Sequence, residues 1–129
     1  MESVFKSIDG VLIVNTFRDD HPGCNFAMEG DELVVVREHW NHNDANAVLF
    51  KLQDGLHVGH ISKHLAAHLS PLMGKGSIRL KAEVDEVFEN NHGDYSVTIE
   101  LSVISINLPA EERTALSNEI DELRRRGII

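Results

Sequence analysis

Ile78-Arg79-Leu80-Lys81-Ala82-Glu83-Val84-Asp85 alternates apolar and polar residues without a break. A period of two places Ile78, Leu80, Ala82 and Val84 on one face of a strand and the charged residues on the other, as in a sheet with one buried face. The phase slips at Val87-Phe88, and a turn-forming sequence follows, Asn90-Asn91-His92-Gly93-Asp94. A second alternation runs through Tyr95, Val97, Ile99, Leu101 and Val103, slips at Val103-Ile104 and resumes at Ile106. Two long strands that each change phase predict a strongly curved sheet, because an extra residue in one strand bends it.

Shorter strands are expected upstream, over about residues 8–14, 33–37, 47–52 and 56–61. Asp54-Gly55 marks a tight hairpin between the last two, since glycine accepts the positive φ of such turns. Ser62 is placed to cap a helix whose Leu65, Leu69 and Leu72 share one face, and Pro71 is expected to end or kink it. Residues 15–32 read as a loop, because Arg18-Asp19-Asp20-His21-Pro22-Gly23 follows neither period. A second helix follows Pro109. Its first turn carries Glu111 and Glu112, its end carries Arg124 to Arg126, and Gly127 stops it. Leu116, Ile120 and Leu123 form a narrow apolar stripe expected to pack on the barrel, with homodimerisation as the alternative. The expected fold is all-β with minor α: an OB-like curved β-barrel of about six strands, one inserted helix and a C-terminal helix. Residues 1–107 form the barrel and residues 108–129 the helical extension.

Composition narrows the function. The chain has 129 residues, enough for one core, and is 42% hydrophobic and 26% charged, which excludes a disordered segment. Its longest aliphatic run, Val11-Leu12-Ile13-Val14, is far shorter than a membrane span. The start, Met1-Glu2-Ser3-Val4-Phe5-Lys6, has neither the basic flank nor the apolar stretch of a secretory signal. A single cysteine, Cys24, forms no internal disulfide and fits a reducing compartment, so a cytoplasmic location is expected. Twelve Lys and Arg stand against 21 Asp and Glu, a formal charge of −9. That balance excludes a histone-like binder with a broad basic face but not a small groove holding a few cations.

Six of the eight histidines fall between positions 39 and 68, yet HExxH is absent because Leu65 follows His64, and Cys24 stands apart. Surface histidines are the simpler reading, with no metal or other cofactor. The glycines form neither a GxxxxGK nor a GxGxxG run, and no GxSxG or Cys-His nucleophile signature is present. A non-catalytic module is therefore expected.

The most distinctive stretch is Val34-Val35-Val36-Arg37-Glu38-His39-Trp40-Asn41-His42-Asn43-Asp44-Ala45-Asn46-Ala47-Val48, followed by Val58-Gly59-His60-Ile61-Ser62-Lys63-His64-Leu65-Ala66. A buried strand runs into a loop dense in Asn and Asp, whose side chains satisfy an irregular backbone. This order resembles the HIRAN domain, a module of fork-remodelling helicases that also occurs as a stand-alone bacterial or phage protein. The resemblance covers about residues 5–106. It implies an OB-type barrel that captures the 3′ end of single-stranded DNA, in the setting of DNA repair. By position, it implies that Asp44 accepts a hydrogen bond from the terminal 3′-hydroxyl, that His60 and Lys63 hold phosphates, and that Asn41 makes a polar contact in the same pocket. Asn46 is assigned to fixing the loop.

The chain departs from the pattern at the aromatics that stack on terminal bases in DNA-binding members. The position before the aspartate is Asn43, and the nearest match to the first aromatic block is Phe17-Arg18 in reversed order. Trp40 is a candidate substitute, and Arg18 and Arg37 are further candidate cations. The leading expectation is a binder of single-stranded DNA or its 3′ end, with a helicase or nuclease as a protein partner. The alternative is a protein-interaction or structural module that kept the barrel and lost the pocket.

Overall fold

The computed structural model describes residues 11–15, 22–89 and 95–129. Six strands, β1 (Val11–Asn15), β2 (Glu32–Arg37), β3 (Val48–Lys51), β4 (His57–His60), β5 (Ile78–Glu89) and β6 (Tyr95–Ser105), pair in the order β1-β6-β5-β2-β3-β4, all antiparallel. Helix α1 (Lys63–Gly74) joins β4 to β5, and helix α2 (Ala110–Arg125) follows β6. The alternating residues of β5 and β6 behave as their period requires. Ile78, Leu80, Ala82 and Val84 are buried, as are Val97, Ile99, Leu101 and Val103.

The ribbon curls for two local reasons. Strand β2 turns a corner: Glu32 and Leu33 pair with Glu83 and Ala82 of β5, whereas Val34 to Arg37 pair with Lys51 to Val48 of β3. On β5 the register shifts between Val84 and Glu86, so Asp85 is the extra residue, and its Oδ2 accepts the Thr98 hydroxyl at 2.9 Å. The slip at Val87-Phe88 thus reports a bulge centred earlier, and the strand continues to Glu89. The second slip, at Val103-Ile104, is no bulge. Leu80↔Val103, Arg79↔Ile104 and Ile78↔Ser105 pair in regular register, and Ile104 is simply a half-buried residue on the outer face. The turn at residues 90–94 and residues 8–10 of the first expected strand lie outside the described residues.

The segment read as a loop contains a 3-10 turn, Pro22–Asn25, which touches β4, at one end of the ribbon, and β6, next to the other end, and so bridges them. The approach is close. The Cys24 thiol donates to the Val58 carbonyl at 3.2 Å, and a Cβ on Gly23 would lie 2.5 Å from the His57 carbonyl oxygen, so only glycine fits there. The outcome is a mostly-sheet half-barrel with two helices, an OB-like fold.

Both helices are built as their sequences dictate at the ends. The Ser62 hydroxyl accepts the His64 N–H at 3.2 Å and caps α1. Helix α1 then runs through Pro71 to Gly74 rather than stopping at the proline. The ring is solvent-exposed, and the last turn is held by a reversing pair of bonds, Gly76 N–H to Met73 O and Ser77 N–H to Leu72 O, with Gly76 at φ 75°. Leu65 and Leu69 of α1 meet Phe50, Ile99 and Leu101 in one core, and Leu116, Ile120 and Leu123 of α2 join it. Burying each such side chain contributes about 1.5–3 kcal/mol. The stripe considered for dimerisation is therefore covered by the chain's own core. No helix among the described residues is long and apolar enough to cross a membrane.

Candidate nucleic-acid interface

The loop between β2 and β3 is organised by Asn41 and Asp44. The Asn41 Oδ1 accepts two backbone N–H groups, from Asn43 at 2.9 Å and Asp44 at 3.2 Å. Its own N–H donates to the Glu38 carbonyl at 3.0 Å. The Asp44 Oδ1 accepts the Asn46 N–H at 2.9 Å, and the Ala47 N–H closes the turn on the Asp44 carbonyl at 3.1 Å. Short Asn and Asp side chains thus replace the ladder partners that an irregular loop lacks. Asn46 enters this network through its backbone N–H. The Oδ2 of Asp44 has no protein donor among the described residues.

The loop faces the start of α1 across a groove of about 690 Å³. One side is lined by Asn41, Asn43, Asp44 and Ala47, the other by His60, Ile61, Ser62, Lys63 and His64, and Ile128 from beyond α2 completes the wall. Five of the residues singled out from sequence therefore share one concavity: Asn41, Asn43, Asp44, His60 and Lys63. The N-terminus of α1 lies in the same wall, where the helix dipole adds partial positive charge to that of Lys63. The walls differ in chemistry. The loop side supplies a carboxylate acceptor, the helix side supplies cationic and N–H donors, and Ala47, Ile61 and Ile128 supply hydrocarbon.

Two further residues stand outside this lining. Arg37 points away from the groove: its Nε donates to the buried Ser70 hydroxyl at 2.8 Å, and a Cβ on Gly74 would meet its guanidinium at 2.9 Å. It ties β2 to the end of α1. Trp40 is 59% exposed and stacks edge-on with His39, ring centroids 5.0 Å apart, next to the groove residue Asn41 but not in its lining. Arg18, with Phe17, lies outside the described residues.

Three contributors escaped the sequence reading. Glu38, half-buried, accepts from Asn41 Nδ2 at 3.2 Å and lies 2.9 Å from His60 Nε2 through the same Oε1. Its signal was its place between a strand-ending Arg37 and an Asn-rich loop. His64 lines the groove beside Lys63, as the second residue of a capped helix must. Ile128 had no local signal, because its position depends on how α2 packs.

The chain matches the HIRAN domain family model over residues 11–105. The crystal structure of the HIRAN domain of human HLTF superposes with a TM-score of 0.60 at 20% identity, over 90% of each chain. The NMR structure of that domain in its DNA-bound conformation gives 0.55 at 20% identity, over 98% of this chain and 96% of that one. A protein from Lactobacillus plantarum gives 0.54 at 18% identity, over 70% of this chain and 93% of that one. None of the curated proteins matches the sequence. With the family model spanning β1 to β6 and the groove loop and capped helix at their expected places within it, the chain belongs to the HIRAN domain family.

Proposed function

We propose that this chain is a non-catalytic module that binds single-stranded DNA by its 3′ end in the groove between the β2–β3 loop and the start of α1. The observation that carries the reading is the convergence of Asp44 with Lys63 and His60 in one groove. A carboxylate oxygen without a protein donor accepts a terminal hydroxyl, while ammonium and imidazole groups opposite it bind the phosphates behind that hydroxyl. This recognises an end and not a base sequence. The human HLTF domain whose DNA-bound conformation shares this fold supports DNA as the ligand. The module acts without a cofactor, in the cytoplasm, alongside a helicase or nuclease in DNA repair, and residues 1–107 form its binding unit with residues 108–129 as an extension.

A second reading has one observation in its favour: among the described residues no Phe, Tyr or Trp lines the groove. Base stacking contributes about 1–3 kcal/mol per base, so a groove without such platforms fits a protein-interaction module that kept the barrel.

Fluorescence anisotropy of a labelled short strand separates the two. A free 3′-hydroxyl strand should bind at low salt, and a 3′-phosphorylated strand should bind at least about ten-fold more weakly, since a hydrogen bond to a charged group contributes about 1.5–3 kcal/mol. Asp44→Asn keeps an acceptor for the Asn46 N–H and should abolish that preference without unfolding the loop. Equal affinity for both ends removes Asp44 from this role, and absence of binding at low salt favours the protein-interaction reading.

A further inference from the structure

We propose that Arg124 and Arg126, at the end of α2, extend the groove outward and hold the phosphates of a single strand whose 3′ end sits beside Asp44. This rests on the reading above and adds to it a second, basic segment that lies outside the part of the chain matched by the family model.

The placement follows from how α2 ends. Gly127 adopts φ 75°, its N–H bonds to the Arg124 carbonyl at 3.0 Å, and the Ile128 N–H bonds to the Leu123 carbonyl at 2.9 Å. This paired motif reverses the chain, which is why glycine stands there. The reversal folds Ile128 back against the core, where it becomes a wall of the groove. The groove stays open with Ile128 in place, so the residue is a wall and not a plug. Successive Cα atoms are about 3.8 Å apart, so the Cα of Arg126 lies within about 7.6 Å of the Cα of Ile128. An extended arginine side chain reaches several ångströms further, to where a strand leaving the groove past Ile128 would carry its next phosphates.

The charges agree with this placement. Arg125 is paired with Glu122, and Glu119 lies 3.7 Å from His68 of α1. Arg124 and Arg126 have no carboxylate partner among the described residues. In a chain of net charge −9, two cations without a carboxylate partner, within four residues of the groove residue Ile128, add to the positive charge that Lys63 supplies. Cations at a helix C-terminus also offset the helix dipole, a role that needs no ligand. Salt dependence distinguishes the two roles, because each phosphate contact to a single strand adds about 0.7 to the slope of log K against log salt.

The experiment compares wild type with Arg124→Gln/Arg126→Gln on a trinucleotide and a decanucleotide bearing free 3′-hydroxyls, across a salt series. For the decanucleotide the slope should fall by about 1.4 and affinity at low salt by about ten-fold, with the trinucleotide unchanged. Arg124→Lys/Arg126→Lys, which keeps both charges, should restore the slope even if melting temperatures differ. Unchanged slopes in the glutamine variant, with wild type still discriminating 3′ ends, overturn this inference alone. A wild type that binds neither oligonucleotide overturns it together with the reading on which it rests.

Discussion

Glu38 Oε1 lies 2.9 Å from His60 Nε2 and accepts the Asn41 side-chain N–H at 3.2 Å, so a single carboxylate oxygen joins the end of β4 to the β2–β3 loop. The Glu38 side chain is only 14% exposed, which limits solvent screening of the contact. This carboxylate has two opposed effects on an anionic ligand. It fixes His60 and Asn41 in the groove wall, and it opposes the positive charge that phosphates require.

Glu38→Gln separates those effects, since the amide oxygen still accepts from Asn41 while the negative charge is gone. Oligonucleotide affinity should rise about two- to five-fold at low salt, the size expected for one charge several ångströms from a phosphate near a protein surface. Anisotropy titrations check this, and the gain should fade as salt increases. Glu38→Ala removes the acceptor as well, and should lower stability by about 1 kcal/mol in urea unfolding.

Asn41→Ala tests the loop itself. The side chain holds the N–H groups of Asn43 and Asp44 and reaches Glu38, and no methyl group replaces any of these. Stability should fall by about 1–2 kcal/mol, the range for losing several partly exposed hydrogen bonds. Binding should fall more steeply than stability, because Asp44 then loses its place opposite Lys63. Retained affinity in a variant with a lower denaturation midpoint would dissociate the loop from the site.

These tests follow a boundary in what the sequence displays. Alternation in β5 and β6 reveals strands because burial acts on every second residue, and the Ser62 cap and the shared face of Leu65 and Leu69 reveal α1 by the same local logic. The groove loop was legible as an irregular segment dense in Asn and Asp, while the grouping of Asn41, Asp44 and His60 in one pocket followed from the resemblance to HIRAN domains. Features that depend on distant partners were not. Arg37 looks like a groove cation until Ser70, 33 residues away, claims its Nε. Ile128 enters the wall only because Gly127 reverses the chain after a helix whose stripe packs on the core. The phase slip at Val87-Phe88 marks the extra residue, but not its position at Asp85, since register is a property of two strands and not of one.

Arg37→Ala should therefore behave as a change to the scaffold. It leaves the buried Ser70 hydroxyl without its partner and opens the contact with Gly74, at a cost of about 1–3 kcal/mol for a buried group left unsatisfied. Thermal or urea unfolding should show the loss. The salt slope of oligonucleotide binding should remain that of wild type, as the guanidinium meets no phosphate. A slope reduced by about 0.7 would instead return Arg37 to the interface.

Trp40 offers the last test, on the question of stacking. It is the chain's only tryptophan, it is 59% exposed, and it precedes the residue that anchors the groove loop. Its ring is nearly perpendicular to that of His39, at 82°, so at most one of the two indole faces meets that ring. If a strand in the groove extends over the loop, a base stacks on the other face and quenches the indole emission. Titration with an unlabelled oligonucleotide should then give a saturable quench whose midpoint matches the anisotropy curve. Trp40→Ala should weaken binding by about 1–3 kcal/mol, the range for one stacked base, with little change in stability because the side chain is mostly in water. Trp40→Phe should recover much of the affinity, since a smaller ring still stacks. Unchanged emission on saturation, together with wild-type affinity in Trp40→Ala, would place the strand away from Trp40, on the side of the groove that leads past Ile128.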